Sequence, residues 1–360
     1  MTTVLIMAGG TGGHVFPGLA VADVLRARSC RVVWLGTRRG LEAQVVPAAG
    51  IEMTWLRVTG LRGKGLMSWL TAPIKLIRAL IDATRVIREI RPDVVLGLGG
   101  FVAGPGGLAA RLCRLPLVIH EQNAIVGVTN RLLARVASSV AEAFPGAFNA
   151  AVGAVAIGNP VRRAIEQLAT VPDRPSADLS QHLLVFGGSQ GAAALNRVVP
   201  QALARLSPTK RPVVIHQTGR HHAQAVAATY ASLGITAEVV EFIEDMAAAY
   251  RWADLAVTRS GAMTVAELAT AGVPAVLVPF PAAVDDHQTV NARFLSMRGA
   301  AILLPESLLT DDGLARELDR LLGREPSVLA AMRDAARRVA APGAAERLAD
   351  LVMQAAGVLA

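Results

Sequence analysis

Cysteine is nearly absent from this 360-residue chain: only Cys30 and Cys113 occur. The two make neither a metal-ligand spacing nor a disulfide framework, and they fit a reducing compartment. Aromatic residues are scarce, at 4 %, and the basic residues lie among Leu and Trp rather than stacking platforms, so a nucleic-acid role is not expected. Charged residues reach only 18 % against 52 % hydrophobic ones, which excludes a disordered chain and supplies a large core. Long apolar runs are missing as well. No window holds the ~20 uninterrupted apolar residues of a membrane span, and the best, 66–81, is broken by Lys75 and Arg78. No Asp-x-Asp cluster suited to Mg²⁺ lies in the core of either half, since Asp285-Asp286 and Asp311-Asp312 are adjacent pairs on loops; no metal and no other cofactor is expected. Met1-Thr2-Thr3-Val4-Leu5-Ile6-Met7 reads as a first strand rather than a signal peptide. The protein is expected to be soluble or peripheral.

The charge that is present is unevenly placed. Residues 1–162 hold 18 Lys/Arg against eight Asp/Glu, whereas residues 163–360 hold 18 against 20. All the excess basicity sits in the first half, which argues that this half meets an anionic surface. The length suggests about two domains.

The stretch Arg259 to Glu267 organises the chain. Ala253 to Thr258 reads as a strand, and Met263 to Ala271 as a helix that stops at Gly272. Ser260 and Gly261 then sit at a strand-to-helix turn whose amides point out of the helix start, a ready receiver of phosphate. Glu267 lies near the second turn, where a carboxylate can accept two hydroxyls of a sugar. Phosphate donors followed by a diol acceptor describe a nucleotide-sugar site; a capped helix with Glu267 toward solvent is the alternative.

Glycine loops of similar design recur. Val4 to Ala8 leads into Gly9-Gly10-Thr11-Gly12-Gly13-His14, then a helix from Pro17 to Arg28. This loop fails the dinucleotide fingerprint: Val15 stands where the third glycine belongs, and Thr37-Arg38-Arg39 where an acidic residue is expected. A second strand, 92–98, opens into the glycine-rich 99–107, with a helix expected from Leu108. Leu117-Val118-Ile119 ends in His120-Glu121-Gln122-Asn123, four polar residues at a strand end, where parallel sheets bind ligands. The second half repeats the plan: strand 182–186, loop Gly187-Gly188-Ser189-Gln190-Gly191, helix 192–206, further strands at 213–217 and 237–242, and strand 273–280 leading to Asp285-Asp286-His287-Gln288. Alternation of strands and helices, performed twice, predicts two parallel sheets in an α/β protein.

Two other patterns compete for attention. Gly187-Gly188-Ser189-Gln190-Gly191 matches a nucleophile elbow, with Asp285 and His287 in hydrolase order. Those two are only two residues apart, and the loops at 9–13 and 99–107 carry no serine, so turn or phosphate chemistry explains the design better. Residues 57–91 hold eight Lys/Arg against Asp82 and Glu89. Leu66, Met67, Trp69 and Leu70 beside Lys75 and Arg78 fit a helix lying in a headgroup layer, or an ordinary amphipathic helix with a solvated basic face.

Read together, Gly9 to His14 with Phe16-Pro17-Gly18, Gly99-Gly100 with Gly104-Pro105-Gly106-Gly107, His120 to Asn123, Gly158-Asn159-Pro160-Val161-Arg162, Gly187 to Gly191 and Ser260 to Glu267 resemble the MurG family over essentially the whole chain. That family comprises the bacterial transferases that add N-acetylglucosamine to the undecaprenyl-diphospho-muramoyl-pentapeptide of peptidoglycan, a step tied to cell shape and division.

The resemblance implies a GT-B glycosyltransferase, two Rossmann-like parallel-sheet domains facing across a cleft. Residues 1–162 would take the lipid acceptor, lipid I, and touch the anionic inner-membrane surface, with the last helix, about 342–360, packing back on them; residues 163–341 would hold UDP-N-acetylglucosamine. By motif, the substrate-binding residues would be Thr11, Gly12, Gly13, Asn123 and Arg162 in the first half. In the second they would be Ser189, Ile243 near uracil, Ala262, Met263, Thr264, Val265, Ala266 and Glu267 around the diphosphate and ribose, and Gln288 on the sugar side. His14 is the first choice for the base of an inverting transfer, because imidazole titrates near pH ~6.5; Glu121 is the second. Other cell-wall or division proteins are implied as partners, at the cytoplasmic face of the inner membrane. Pro281-Ala282-Ala283 departs from the family, which often carries His, Tyr or Gln there. A lipid-binding scaffold without turnover shares these motifs, and release of UDP separates the two.

Overall fold

Apolar strands alternate with helices to give two parallel sheets, in two units: Met1–Arg162 with Gly343–Ala360, and Arg163–Pro342. The computed structural model describes residues 1–57, 72–171, 181–188, 191–322 and 326–358. The basic stretch 58–71, with Leu66, Met67, Trp69 and Leu70, and residues 172–180 lie outside the described residues.

In the first unit the order is β1 (Thr3–Met7), α1 (Gly12–Ala27), β2 (Arg31–Gly36), α2 (Glu42–Ala48), β3 (Glu52–Trp55), α3 (Ala72–Ile90), β4 (Val94–Gly97), α4 (Gly100–Leu112), β5 (Leu117–Glu121), α5 (Val128–Leu133), β6 (Ser139–Glu142) and β7 (Val155–Ala156). The sheet runs β3-β2-β1-β4-β5-β6-β7, and every pairing is parallel. Helices cover both faces, so the strands are apolar on both sides instead of alternating with polar residues. Val4, Ile6, Val32 and Trp34 pack with Val21 and Leu25 of α1. Leu5, Met7, Val33 and Leu35, one step out of phase, pack with Ile87 of α3 and Val102 and Ala109 of α4.

The second unit opens with a single turn, Arg163–Glu166. It continues β8 (His182–Phe186), α6 (Ala193–Ala204), β9 (Val213–Gln217), α7 (Ala223–Ser232), β10 (Ala237–Val240), α8 (Met246–Trp252), β11 (Leu255–Thr258), α9 (Ala262–Ala271), β12 (Ala275–Leu277), α10 (His287–Ser296), β13 (Ala301–Leu303), α11 (Asp311–Leu322) and α12 (Pro326–Val339). Its parallel sheet runs β10-β9-β8-β11-β12-β13. The chain then returns to the first unit: α13 (Ala344–Ala355) places Leu348, Ala349 and Val352 in the core beneath α1, and Asp350 pairs with Arg28 at 2.5 Å.

Both sheets follow the Rossmann order, in which direction of progression reverses once. The reversal falls between β1 and β4 in the first unit and between β8 and β11 in the second. Loops leaving those strand ends diverge and open a crevice for ligand.

Two helices start earlier than the sequence suggests, and a third, which starts within a residue of its expected place, carries a proline inside it. The helix expected from Pro17 starts at Gly12, the one expected from Leu108 starts at Gly100, and the third, Ala193–Ala204, contains Pro200. Proline is favoured in a first turn because it lacks an amide proton, but here Pro17, Pro105 and Pro200 are interior and buried. Burial of each ring offsets the lost hydrogen bond. The segment 99–107 is therefore mostly helix, not loop. Gly100, at φ 79°, lets α4 begin against the first glycine loop, since a Cβ there would stand 2.3 Å from the Gly9 carbonyl oxygen.

Candidate functional site

In the second unit β11 ends at Thr258 and α9 begins at Ala262, so Arg259-Ser260-Gly261 forms the turn at the switch point. Gly261 is the N-cap and, having no side chain, cannot cap the helix itself. The amides of the first turn have no carbonyl four residues back, and the helix dipole favours an anion in front of them. The turn is held rigidly. Arg259, buried, donates from Nη1 to the Val278 and Pro279 carbonyls at 3.1 Å each, pairs with Glu306 at 2.5 Å and lies over the Phe280 ring at 5.4 Å. Ser260 Oγ donates to the Gln288 carbonyl at 2.8 Å, and Asn291 Nδ2 donates to the Ser260 carbonyl at 3.3 Å. The Gln288 side chain accepts from the Phe280 amide at 2.9 Å. Gln288, expected on the sugar side, thus also braces the loop carrying Pro281-Ala282-Ala283.

Along α9, Met263, Val265 and Glu267 are buried while Thr264 and Ala266 are half-buried; Ala262 is buried at the helix start. Glu267 accepts from the Tyr250 hydroxyl at 3.0 Å. Its carboxylate is therefore oriented by α8, and the alternative of a solvent-facing Glu267 fails. Ile243 is half-buried in the loop after β10, just before Asp245 caps α8 through the Ala248 amide at 2.9 Å. Ser189 lies outside the described residues, but its loop is framed. Gln217 accepts from the Gly187 amide at 3.3 Å and donates to the Gly188 carbonyl at 3.1 Å, and Gly191, at φ 72°, sits where a Cβ would collide with the Thr218 carbonyl. Nothing in the sequence pattern singled out Gln217 or Tyr250, and Arg259 stood out only as the start of its stretch; the roles of all three depend on contacts from neighbouring strands and helices.

In the first unit the glycine loop occupies the matching position after β1. Thr11 is the exposed N-cap of α1, and Gly12 and Gly13 form its first turn. Beneath the loop the buried Trp34 indole donates to the Ala8 carbonyl at 2.8 Å. Glu42, fully buried at the start of α2, accepts from the Gly10 amide at 2.9 Å and from the Thr37 amide and hydroxyl at 2.9 and 2.8 Å. The acid missing from the end of β2 is replaced by one six residues on, which clamps the loop backbone instead of a ribose.

His14, half-buried in the first turn of α1, points at the end of β5: its Nδ1 lies 2.9 Å from Gln122 Oε1. Gln122 Nε2 lies 3.1 Å from His120 Nδ1, and His120 Nε2 lies 2.9 Å from the Gly158 carbonyl oxygen. His120 and Gln122 are buried. Burial pushes the His120 pKa down to about 4, against smaller opposing effects of the Gly158 carbonyl and Glu121, so it is neutral. Glu121, also buried, accepts four hydrogen bonds: from the Asn123 amide and side chain at 3.0 and 3.2 Å, the Gly127 amide at 3.1 Å and Asn130 Nδ2 at 3.0 Å. It shapes the 123–130 loop and fixes Asn123 within it. Arg162 stacks over the Phe16 ring at 5.0 Å, beside the same first turn of α1. Thus Thr11, Gly12, Gly13 and His14 share one turn, Glu121 and Asn123 the strand end next to it, and Arg162 reaches α1 from the segment after β7. Among the described residues no group of three or more His, Cys, Asp or Glu is arranged to hold a metal ion.

Two Rossmann-type parallel sheets, each with a glycine turn at its switch point, define the GT-B class of glycosyltransferases. The chain belongs to glycosyltransferase family 28: the family's N-terminal domain matches residues 4–142 and its C-terminal domain residues 182–348. It is 56 % identical over 354 residues to the UDP-N-acetylglucosamine–N-acetylmuramyl-(pentapeptide) pyrophosphoryl-undecaprenol N-acetylglucosamine transferase of Nitrosococcus oceani, covering 98 % of each chain. To the enzyme of the same name from Methylococcus capsulatus it is 56 % identical over 355 residues, 98 % of this chain and 99 % of that one. The crystal structure of Acinetobacter baumannii MurG matches with a TM-score of 0.82 at 41 % identity, covering 98 % of this chain and all of the other.

Proposed function

We propose that this chain is the hexosyltransferase of peptidoglycan synthesis that moves N-acetylglucosamine from UDP-N-acetylglucosamine to the 4-hydroxyl of the muramoyl sugar of lipid I, forming lipid II. The observation that carries this reading is the pairing of family-wide similarity with the turn at 259–261: a strand-to-helix turn at the switch point with glycine as the N-cap, followed by a carboxylate that Tyr250 holds in place.

The donor binds the second unit. Its diphosphate lies before the amides of Gly261 to Thr264 and the loop of Ser189; its ribose meets Glu267, its uracil Ile243 and its sugar Gln288. The acceptor binds the first unit at Thr11, Gly12, Gly13, Asn123 and Arg162. In the reaction the acceptor O4 forms a bond to the anomeric carbon as the bond from that carbon to UDP breaks, inverting the centre. The O4 proton passes to His14, and the charge growing on UDP meets fixed amide dipoles. His14 rather than Glu121 takes the proton, because four donors already occupy the Glu121 carboxylate.

The first unit rests on the cytoplasmic face of the inner membrane. Ile74, Leu76, Ile77 and Ile81 are each more than half exposed on α3, interspersed with exposed Lys75 and Arg78. Apolar side chains set among cations suit an anionic headgroup layer. No helix among the described residues is long and apolar enough to cross a membrane.

The test is turnover of the full chain with UDP-N-acetylglucosamine and a lipid I analogue. UDP release that depends on acceptor is expected. His14→Ala should lower kcat by about 10²–10⁴-fold, and Glu267→Ala should raise the donor KM strongly. A kcat loss under threefold removes His14 as base, and an unchanged donor KM removes the ribose role of Glu267. Sedimentation with anionic vesicles, weakening as salt rises, checks the membrane face; no binding at low salt refutes it.

A further inference from the structure

A histidine can take a proton only from the ring nitrogen that is unprotonated, and its neutral form has two tautomers. The first unit contains a hydrogen-bonded chain that selects one of them. Its far end is unambiguous. The Gly158 carbonyl only accepts, so His120, buried and neutral, must present Nε2–H to it across 2.9 Å. His120 Nδ1 is then a lone pair. The group facing it, 3.1 Å away, must donate, which fixes the amide nitrogen of Gln122 on that side. The same nitrogen also donates to the His120 carbonyl at 3.1 Å, another pure acceptor that demands the same orientation. The Gln122 amide oxygen consequently faces His14, and Nδ1 of His14, 2.9 Å from it, must carry the proton.

We propose that Gln122, oriented by His120, is a positioning residue that fixes His14 as its Nδ1–H tautomer and leaves Nε2 as the lone pair that receives the acceptor's proton. The proposal deepens the reading of His14 as the base and rests on it. The ring is also held in place sterically, because it packs against Gly99, where a Cβ would come within 3.0 Å of it. The chain ends on a carbonyl rather than a carboxylate. It therefore orients the ring without adding a negative charge behind it, and holding one tautomer of a base is worth orders of magnitude in turnover elsewhere.

The experiment is nitrogen-15 NMR of the full chain labelled at histidine, at pH 8, with the His14 signals assigned by their loss in His14→Ala. Protonated Nδ1 and unprotonated Nε2 are expected at His14, and the reverse at His120. Gln122→Met removes both amide partners; His14 should then populate both tautomers, with kcat falling roughly 10–100-fold and donor KM changing less than about twofold. Gln122→Glu keeps an oxygen toward His14, and should retain the proton on its Nδ1 and most of the turnover. In His14→Ala, adding Gln122→Met should cost nothing further, the signature of groups acting as one unit. A proton on Nε2 of His14 in the native chain overturns the proposal even if His14→Ala is inactive, as do additive losses in the double variant. A kcat loss under threefold in His14→Ala instead removes the base reading while leaving the tautomer assignment intact. Should Gln122→Met fail to fold, the native spectrum and Gln122→Glu still decide.

Discussion

Two buried histidines set how the protein answers acid. Burial pushes His120 in the first unit and His216 in the second down to about 4. His216 is held between the Tyr230 hydroxyl at 2.9 Å and Asn196 Oδ1 at 3.1 Å, so it too is neutral and fully engaged. An unfolded chain binds a proton at each below its ordinary value near 6.5, whereas the native one does not until about 4. Between those values the unfolded state binds more protons, so stability rises with pH across the window and is lost as pH falls through it. Each histidine contributes on the order of 3 kcal/mol by this route. Thermal unfolding followed from pH 7.5 to pH 5 should show both units losing Tm together; a flat profile would mean that neither ring is held neutral. Neither role was legible in the sequence. His120 stood out only as one of four polar residues at a strand end, and the partner that neutralises its ambiguity, Gly158, is 38 residues away. Glu42 escaped for the same reason: it acts on Gly10 across 32 positions.

At the scale of elements, the sequence showed the inner strands well, missed β3, β6, β7 and β13 toward the sheet edges, and showed helix starts poorly. The central strands β1 and β8 fall within a residue of where apolar runs place them, because burial on both faces leaves an uninterrupted signal. Helix α9 was legible to one residue, bounded by Gly261 and by Gly272 at φ 67°. Helices α1 and α4 were not, because glycine and proline there read as loop residues. Their purpose is close approach, which only the packed structure displays. Gly100→Ala tests that account. The added methyl would meet backbone, the Gly9 carbonyl, so neither partner can rotate away, and the residue would also hold φ 79° with a side chain. Left-handed backbone alone costs about 1–2 kcal/mol, and overpacking adds about 1–3 kcal/mol. A Tm loss is expected together with impaired acceptor use, since the displaced carbonyl belongs to the loop that carries Thr11 to His14. Normal acceptor KM and kcat in a folded Gly100→Ala protein would show that the two glycine segments need not touch.

Across the whole molecule, the division between units does not follow the order of the chain. Family likeness implied a last helix returning to the first half, but periodicity gave no sign of which core it joins; an amphipathic helix advertises that it needs a partner, not which one. The structure places Leu348, Val352 and Met353 of α13 in the first unit's core, where Arg347 also donates to the Ile157 carbonyl at 2.8 Å. Removing the chain after Pro342 would delete these three side chains and the burial they contribute, about 1.5–3 kcal/mol each. Their sum approaches the whole stability of an ordinary domain, about 5–15 kcal/mol. The second unit loses nothing from its own core by the same cut. Calorimetry of the truncated chain should therefore show one transition retained and the other lost or shifted far downward. The retained one should still rise on adding UDP if the donor site lies where proposed. If both transitions persist, α13 is an accessory strap and not part of the first unit's core; if both vanish, the two units do not fold independently of each other.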